Sequence, residues 1–238
     1  AYINGEFVEG KSTFEVINPS TESAIGTVPN LSVADCQNAI ADAHSAWLLW
    51  KDRPIGERSA IVRRLFELTK EHKNELAEIM TLESGKPLKE SLGEVDYRNA
   101  FVEWFAEEGK RTYGETIPSN NSTRIATIKQ AVGVVGAITP WNFPLAMISR
   151  KLAPALVAGC TMVLKPASQT PFTALALAKL AEMAGVPKGV FSVITSKDSK
   201  GLGKELATNP LIRKITFTGS TEVGKTLMEQ AASTIKRV

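Results

Sequence analysis

From residue 132 to the end of the chain, apolar and polar positions alternate in blocks that spell strand, helix, strand, helix. Residues 132–138, Val-Gly-Val-Val-Gly-Ala-Ile, are apolar throughout, as expected of a parallel strand buried on both faces. Helical spacing then predicts a helix over 145–157, a strand over 161–164, a helix over 172–184 and a strand over 190–194. A helix over 200–207, a strand over 214–218 and a helix over 220–236 complete the pattern. Such alternation predicts an α/β fold: a Rossmann-like parallel sheet with helices on both faces, whose ligands sit at the carboxyl ends of the strands.

The first half reads differently. Short β-like runs at 14–17 and 24–28 give way to helices. Cys36 recurs with Val33, Ile40, Ala43, Trp47 and Trp50 at helical spacing, which predicts a core-facing stripe, and Ser32 with Asp35 resembles a capping box in front of it. Pro54 suits the first turn of a helix carrying Ile61, Leu65 and Leu68, and Gly85-Lys86-Pro87 ends a helix before a longer one that runs towards Tyr113. Residues 114–131 are polar, with Asn120-Asn121 at their middle and alternation over 124–129, the pattern of a β-hairpin arm. An arm of that size cannot bury both faces on itself, so it is expected to pack on another subunit or domain. The expected organisation is an N-terminal helical segment over 1–113 packed on the cofactor domain, a β-hairpin oligomerisation arm over 114–131, and a dinucleotide-binding domain over 132–238.

Composition narrows the function. The 238 residues are 43% hydrophobic and 22% charged, enough apolar material for a sizeable core. A net charge of +3 without a Lys/Arg run interleaved with aromatics argues against nucleic acid as a partner. No stretch is apolar for the roughly 18 residues a bilayer crossing needs, and no leader pattern opens the chain, so a cytoplasmic location and no membrane partner are expected. The missing initiator Met predicts a chain that was trimmed or begins inside a longer one. Two cysteines and two histidines, none of them near each other in sequence, predict no metal site. Cys160 enters an apolar strand, and His44 and His72 read as solvated helix positions.

Candidate chemistry gathers at the predicted strand ends. In Pro140-Trp141-Asn142-Phe143-Pro144 two prolines bracket a turn that can hold the Asn142 amide rigidly as an oxyanion donor, unless Asn142 merely caps a helix starting near Pro144. Lys165-Pro166-Ala167-Ser168 follows the next strand. Gly219-Ser220 then opens a helix whose free N–H groups suit a pyrophosphate, although a plain glycine turn with a serine cap would read the same. Gly219 to Thr226 also satisfies the phosphate-loop pattern G-x-x-x-x-G-K-[ST], which taken literally means an ATPase or GTPase. Against it stand the absence of further glycines, the like charge of Glu222, and only 12 residues after Thr226.

The pentapeptide 140–144, the run Gly159-Cys160-Thr161-Met162-Val163-Leu164-Lys165-Pro166-Ala167, and Phe217-Thr218-Gly219-Ser220-Thr221 resemble the aldehyde dehydrogenases, and the likeness runs from the N-terminus to Val238. Within that family, Met147-Ile148-Ser149-Arg150-Lys151 and the stretch 101–108 look like those of succinate-semialdehyde dehydrogenases. The resemblance implies oxidation of a small-molecule aldehyde with a nicotinamide cofactor bound around Trp141, Lys165, Pro166, Ala167, Ser168, Gly219 and Ser220. It implies that Asn142 steadies the oxyanion of a thiohemiacetal, and that the protein is a homo-oligomer, a dimer or tetramer. Where NAD-using members commonly carry Glu after Lys-Pro-Ala, this chain has Ser168, whose hydroxyl beside the Lys165 ammonium can receive a 2′-phosphate; NADP is therefore expected, with NAD possible. By the same resemblance Arg150 grips the distal carboxylate of succinate semialdehyde. It lies eight residues after Asn142, two helical turns or about 12 Å along an axis, with a solvated or interdomain ion pair as the alternative role.

The chain departs from the family pattern in stopping at Val238, before the Glu-Leu-Gly-Gly stretch that carries the general base and before the catalytic cysteine. The 238 residues are thus expected to be inactive alone. A non-catalytic dinucleotide-binding or assembly module remains the second class of function.

Overall fold

The apolar runs of the second half become the middle of a six-stranded sheet in a computed structural model that describes residues 1–120 and 122–238. Asn121, at the middle of the expected hairpin, lies outside the described residues. In chain order the strands are β1 (Tyr2–Ile3), β2 (Glu6–Phe7), β3 (Thr13–Ile17), β4 (Ala24–Pro29), β5 (Glu115–Ile117), β6 (Ile125–Thr127), β7 (Val134–Ile138), β8 (Thr161–Lys165), β9 (Phe191–Val193) and β10 (Ile212–Phe217). The helices are α1 (Val33–Trp50), α2 (Ile55–Glu71), α3 (Lys73–Ser84), α4 (Leu88–Glu108), α5 (Ala146–Val157), α6 (Pro171–Met183), α7 (Ser199–Thr208) and α8 (Thr221–Ala231). The large sheet has the order β10-β7-β8-β9-β1-β2; β10, β7, β8 and β9 run parallel, and β1 adds antiparallel to β9. The pairs β3–β4 and β5–β6 stand as separate antiparallel ribbons.

Side chains along the parallel strands alternate between two cores, which is why no polar position interrupts β7. Val135, Ala137, Met162, Leu164, Phe191 and Val193 face a core built with α2, α4, α5 and α6; Val134, Val163, Ile212 and Ile215 face a second one built with α1 and α7. Of the Cys36 stripe of α1, Cys36, Ile40 and Ala43 are fully buried in the second core with Val33 packed against it, whereas Trp50 reaches the first core. On the other face, Arg98 of α4 is wholly buried and donates to Ser149 Oγ of α5 at 2.6 Å, and its guanidinium is pushed down to about 9 by burial.

Local signals fix the helix ends. Ser32 and Asp35 form a full capping box: Ser32 N–H donates to Asp35 Oδ2 at 2.8 Å and Asp35 N–H to Ser32 Oγ at 3.3 Å. Pro54 precedes α2 rather than lying inside its first turn. His72 sits at the break between α2 and α3, its ring 3.4 Å from Glu75, and is not a position within a helix. Gly159, at φ +84°, closes α5: its N–H bonds to Leu156 O at 3.0 Å and Cys160 N–H to Ala155 O at 2.9 Å, the paired bonds of a Schellman turn that throws the chain directly into β8. A Cβ at Gly109 would lie 1.6 Å from Val157, so only glycine lets the end of α4 approach α5 this closely.

The last helix is shorter than its periodicity suggests. α8 ends at Ala231, a 3-10 turn covers Ala232–Thr234, and Ile235 turns left-handed at φ +52°. The chain then comes back beside β10, where Ile215 N–H donates to Arg237 O at 2.7 Å. Sheet pairing at the open edge of β10 has overridden a helical pattern.

Two crossover helices are opened by carboxylates borrowed from elsewhere in sequence. Thr170, at the start of α6, makes no side-chain cap; Glu83 of α3 instead accepts from Phe172 N–H at 2.7 Å, from Thr173 N–H at 3.0 Å and from the Thr173 hydroxyl. Burial pushes the Glu83 carboxyl up to about 7 against those donors. A folded-state value above the ordinary 4.5 means that the unfolded chain releases its proton first, so this group's contribution to stability is full below 4.5 and declines as pH rises to about 7. Glu83→Gln is expected to cost ~1–3 kcal/mol by setting an amide N–H against a buried backbone donor. It is also expected to remove that pH dependence, which thermal melts of both proteins across the window would detect.

Candidate functional site

At the carboxyl ends of β7 and β8 a cleft of about 570 Å³ opens between α7 and α8. β7 and the residue after it supply Ile138 and Thr139; the last residue of β8 and the turn after it supply Lys165, Ala167, Ser168 and Gln169. α7 adds Ser199, Lys200, Gly203 and Lys204, and α8 adds Glu222, Val223, Thr226, Leu227 and Gln230. A strand-end crevice between two helices is the location expected for a ligand of such a sheet. A groove of about 490 Å³ between Phe7, Ile25, Leu82 and Phe172 is apolar apart from Lys179 and belongs to no strand end of the parallel sheet.

Lys165 is the unusual member of the cleft. It closes β8 opposite Ile138 of β7, is 4% exposed, and donates only to the carbonyl of Pro166, at 3.3 Å. No carboxylate lies within ion-pair distance of it among the described residues. Burial holds its ammonium below the ordinary lysine value, opposed by the charge of Asp198. Ser168, half-buried, turns its hydroxyl to Gln169 Oε1 at 3.3 Å. Pro166 is buried in the same turn without lining the cleft.

Gly219 and Ser220 precede α8 and do not line the cleft themselves. Ser220 Oγ accepts weakly from Val223 N–H at 3.4 Å, so the serine-cap role is present. The phosphate-loop reading fails on geometry. Thr221 already begins α8, so Thr221, Glu222 and Val223 are helical where such a loop must wrap its phosphates with open backbone.

In the turn 140–144, Asn142 is exposed; its Oδ1 accepts from Phe143 N–H at 3.1 Å, and its backbone carbonyl accepts from Lys86 Nζ at 2.7 Å. Asn142 does not cap α5. Glu94 of α4, 3% exposed, does so by accepting from Leu145 N–H at 2.9 Å and Ala146 N–H at 3.0 Å. Trp141, 56% exposed, lines a smaller cavity of about 330 Å³ whose wall shares Gln169 with the main cleft.

Because α5 opens only at Ala146, Arg150 is one helical turn from its start, and the two-turn rise from Asn142 expected from spacing does not exist. The Arg150 guanidinium lies 4.6 Å from the Phe101 ring centroid and 5.8 Å from that of Tyr97, and its Nη2 donates to Tyr97 Oη at 3.1 Å. Its Nε is buried without a partner, and no ion pair engages it among the described residues. Its neighbour Lys151 reaches the Thr218 hydroxyl at the end of β10, and burial with the Arg150 charge pushes its ammonium down to about 8.

The structure therefore brings Lys165, Ala167 and Ser168 into one cleft, and sets Trp141, Asn142 and Arg150 along the neighbouring turn and helix. Sequence reasoning missed Lys200 and Lys204, whose i, i+4 spacing on one helix face was the available signal, and missed Lys86 and Glu94 entirely.

Known proteins resemble this chain in sequence and fold. The NADP(+) succinate-semialdehyde dehydrogenase GabD of Escherichia coli (strain K12) is 54% identical over 100% of this chain and 50% of its own length. A glutarate-semialdehyde dehydrogenase of Pseudomonas putida is likewise 54% identical over 100% of this chain and 50% of its own length. A crystal structure of an E. coli NADP-dependent enzyme superposes with a TM-score of 0.97 at 54% identity, covering 99% of this chain and 50% of that one. The chain thus spans about half the length of the curated relatives it matches. With the pattern of the aldehyde dehydrogenase family matched over residues 7–238, covering every strand and helix that builds the cleft, the chain belongs to that family.

Proposed function

We propose that the chain is the cofactor-binding half of an NADP-dependent enzyme that oxidises an aldehyde bearing a distal carboxylate, with succinate semialdehyde as the first choice. Lys165 carries the cofactor reading. A buried ammonium held by one long bond to a carbonyl is costly, and a phosphate dianion at the 165–168 turn removes that cost through charge-assisted bonds from Lys165 and Ser168. Lys200 and Lys204 add positive charge on the same wall, which suits a 2′-phosphate better than bare ribose hydroxyls. The NADP(+) in the name of one relative favours the same choice, with NAD as the weaker alternative. When bound, the nicotinamide supplies the hydride acceptor; the chain's own groups hold the adenosine end and exclude water from it.

The substrate reading rests on Arg150, whose guanidinium lies against the Phe101 and Tyr97 rings and, with no ion pair among the described residues, is available to a carboxylate. Both named relatives act on semialdehydes that end in a carboxylate. Asn142 is the oxyanion donor on this reading. The nucleophile must come from outside the 238 residues: Cys36 and Cys160 are buried, the first thiol pushed up to about 12 and the second also raised, both chiefly by burial. The hairpin β5–β6 is exposed along both strands and presents Ile117, Ile125 and Ile128 to solvent, which supports a homodimer or homotetramer closed over this arm.

Thermal melts with NADP, NAD, and ATP with magnesium test the cofactor. NADP is expected to raise the melting temperature more than NAD, and Ser168→Glu to reverse that order by setting a carboxylate against the 2′-phosphate. Stabilisation by ATP alone, or by none of the three, would sink the reading.

A further inference from the structure

Lys86 lies in the three-residue bend between α3 and α4, far from Asn142 in sequence, yet its Nζ reaches the Asn142 turn. It donates to Glu94 Oε2 at 2.6 Å and to Asn142 O at 2.7 Å, and lies 4.7 Å from the Phe143 ring centroid. The Lys86 and Glu94 side chains are 12% and 1% exposed, so this is an interior ion pair and not a surface one.

Among the described residues, every backbone polar group from the carbonyl of residue 142 to the amide of residue 146 except the Pro144 carbonyl is hydrogen-bonded, the Leu145 carbonyl accepting from Ser149 N–H at 3.0 Å. Asn142 O takes Lys86, Phe143 N–H goes to Asn142 Oδ1, and Phe143 O accepts from Met147 N–H at 3.0 Å. Pro144 has no N–H, and the amides of Leu145 and Ala146 go to Glu94 Oε1. The carboxylate holds the downstream end of the turn and, through the ammonium, its upstream end.

This bracing has a consequence for the Asn142 side chain. Phe143 N–H donates to the amide oxygen at 3.1 Å, so the oxygen of the Asn142 amide faces the turn and its NH₂ group faces out. Loosening the turn frees Phe143 N–H to move and lets the amide rotate. We infer that Lys86 and Glu94 are positioning residues for the Asn142 amide, an ion pair from the helical segment that holds the donor NH₂ group of the catalytic turn in place. The inference rests on the reading of Asn142 as oxyanion donor.

The test uses the enzyme containing its cysteine-bearing half, with Lys86→Met, Lys86→Arg, Glu94→Gln and Asn142→Ala. Lys86→Met is expected to lower kcat roughly tenfold to a hundredfold while KM for aldehyde and Kd for NADP hold, because misplacing a donor weakens the transition state alone. Lys86→Arg, which retains charge and donors, is expected to restore most of kcat. Unchanged kcat in folded Lys86→Met, even with a lower melting temperature, overturns the inference. Should that variant not fold, Glu94→Gln must show the same selective loss, and normal kcat there overturns it equally. A separate readout is the Asn142 side-chain amide signal in ¹⁵N NMR, assigned by its absence in Asn142→Ala. It is expected to shift or broaden in Lys86→Met, and an unmoved signal also overturns the inference. If Asn142→Ala itself keeps full kcat, the oxyanion reading has failed, whereas the amide signal still reports whether the pair sets the side chain.

Discussion

Replacement of Asn142 by alanine is expected to lower kcat of the complete enzyme by ~10²–10³ with little change in KM for the aldehyde, the size found for removal of one oxyanion donor. The expectation follows from how the amide is held. Its oxygen is occupied by Phe143 N–H at 3.1 Å, its NH₂ group is on the exposed side of the turn, and the backbone on either side is tied to Lys86 and Glu94. A donor in that state bonds a neutral carbonyl weakly and an oxygen that is acquiring charge more strongly, so its loss is felt mainly in the transition state. Asn142→Asp is expected to fall further, since a carboxylate of nearly the same shape repels the developing anion. Steady-state rates with saturating cofactor decide it, and an alanine variant with undiminished kcat would remove Asn142 from the mechanism.

Arg150→Leu is expected to raise KM for succinate semialdehyde roughly 10- to 100-fold, equivalent to the ~1.5–3 kcal/mol of a hydrogen bond to a charged group. An uncharged aldehyde of similar length is expected to lose little. Among the described residues no carboxylate engages the guanidinium; it rests on Phe101 and bonds Tyr97 Oη at 3.1 Å. Leucine keeps much of the contact with Phe101 and removes only the charge and donors, so the comparison isolates the carboxylate. Equal loss for both aldehydes would mean that Arg150 supports α5 and α4 rather than the substrate.

Much of the site was legible because strand-end motifs are local. The Lys165–Ser168 turn, the Asn142 turn and the opening of α8 each lie within a few residues of a run whose apolar character marks a buried strand, and the sheet then gathers Lys165, Ala167 and Ser168 at one cleft. Spacing misled where it was taken as helical through a turn: 142 to 150 counts eight residues, but Pro144 delays α5 to Ala146. The phosphate-loop pattern misled in the opposite way, since a match of letters carries no statement of where the helix begins.

By itself the sequence determined the alternation of buried strands and amphipathic helices, the capping of α1, the glycine that ends α5 and the family to which these motifs belong, because each is settled by side chains within one or two turns of chain. Only the tertiary structure decided that Glu83 and Glu94 cap helices about 50 or more residues away, that Arg98 is buried, that two-residue β1 extends the sheet beyond β9, and that Lys86 braces the Asn142 turn. A charged residue on a helix carries the same letter whether it meets water or another helix's bare amides. Burial alone makes an unpaired N–H costly enough to select its partner, and burial is a property of the packed chain.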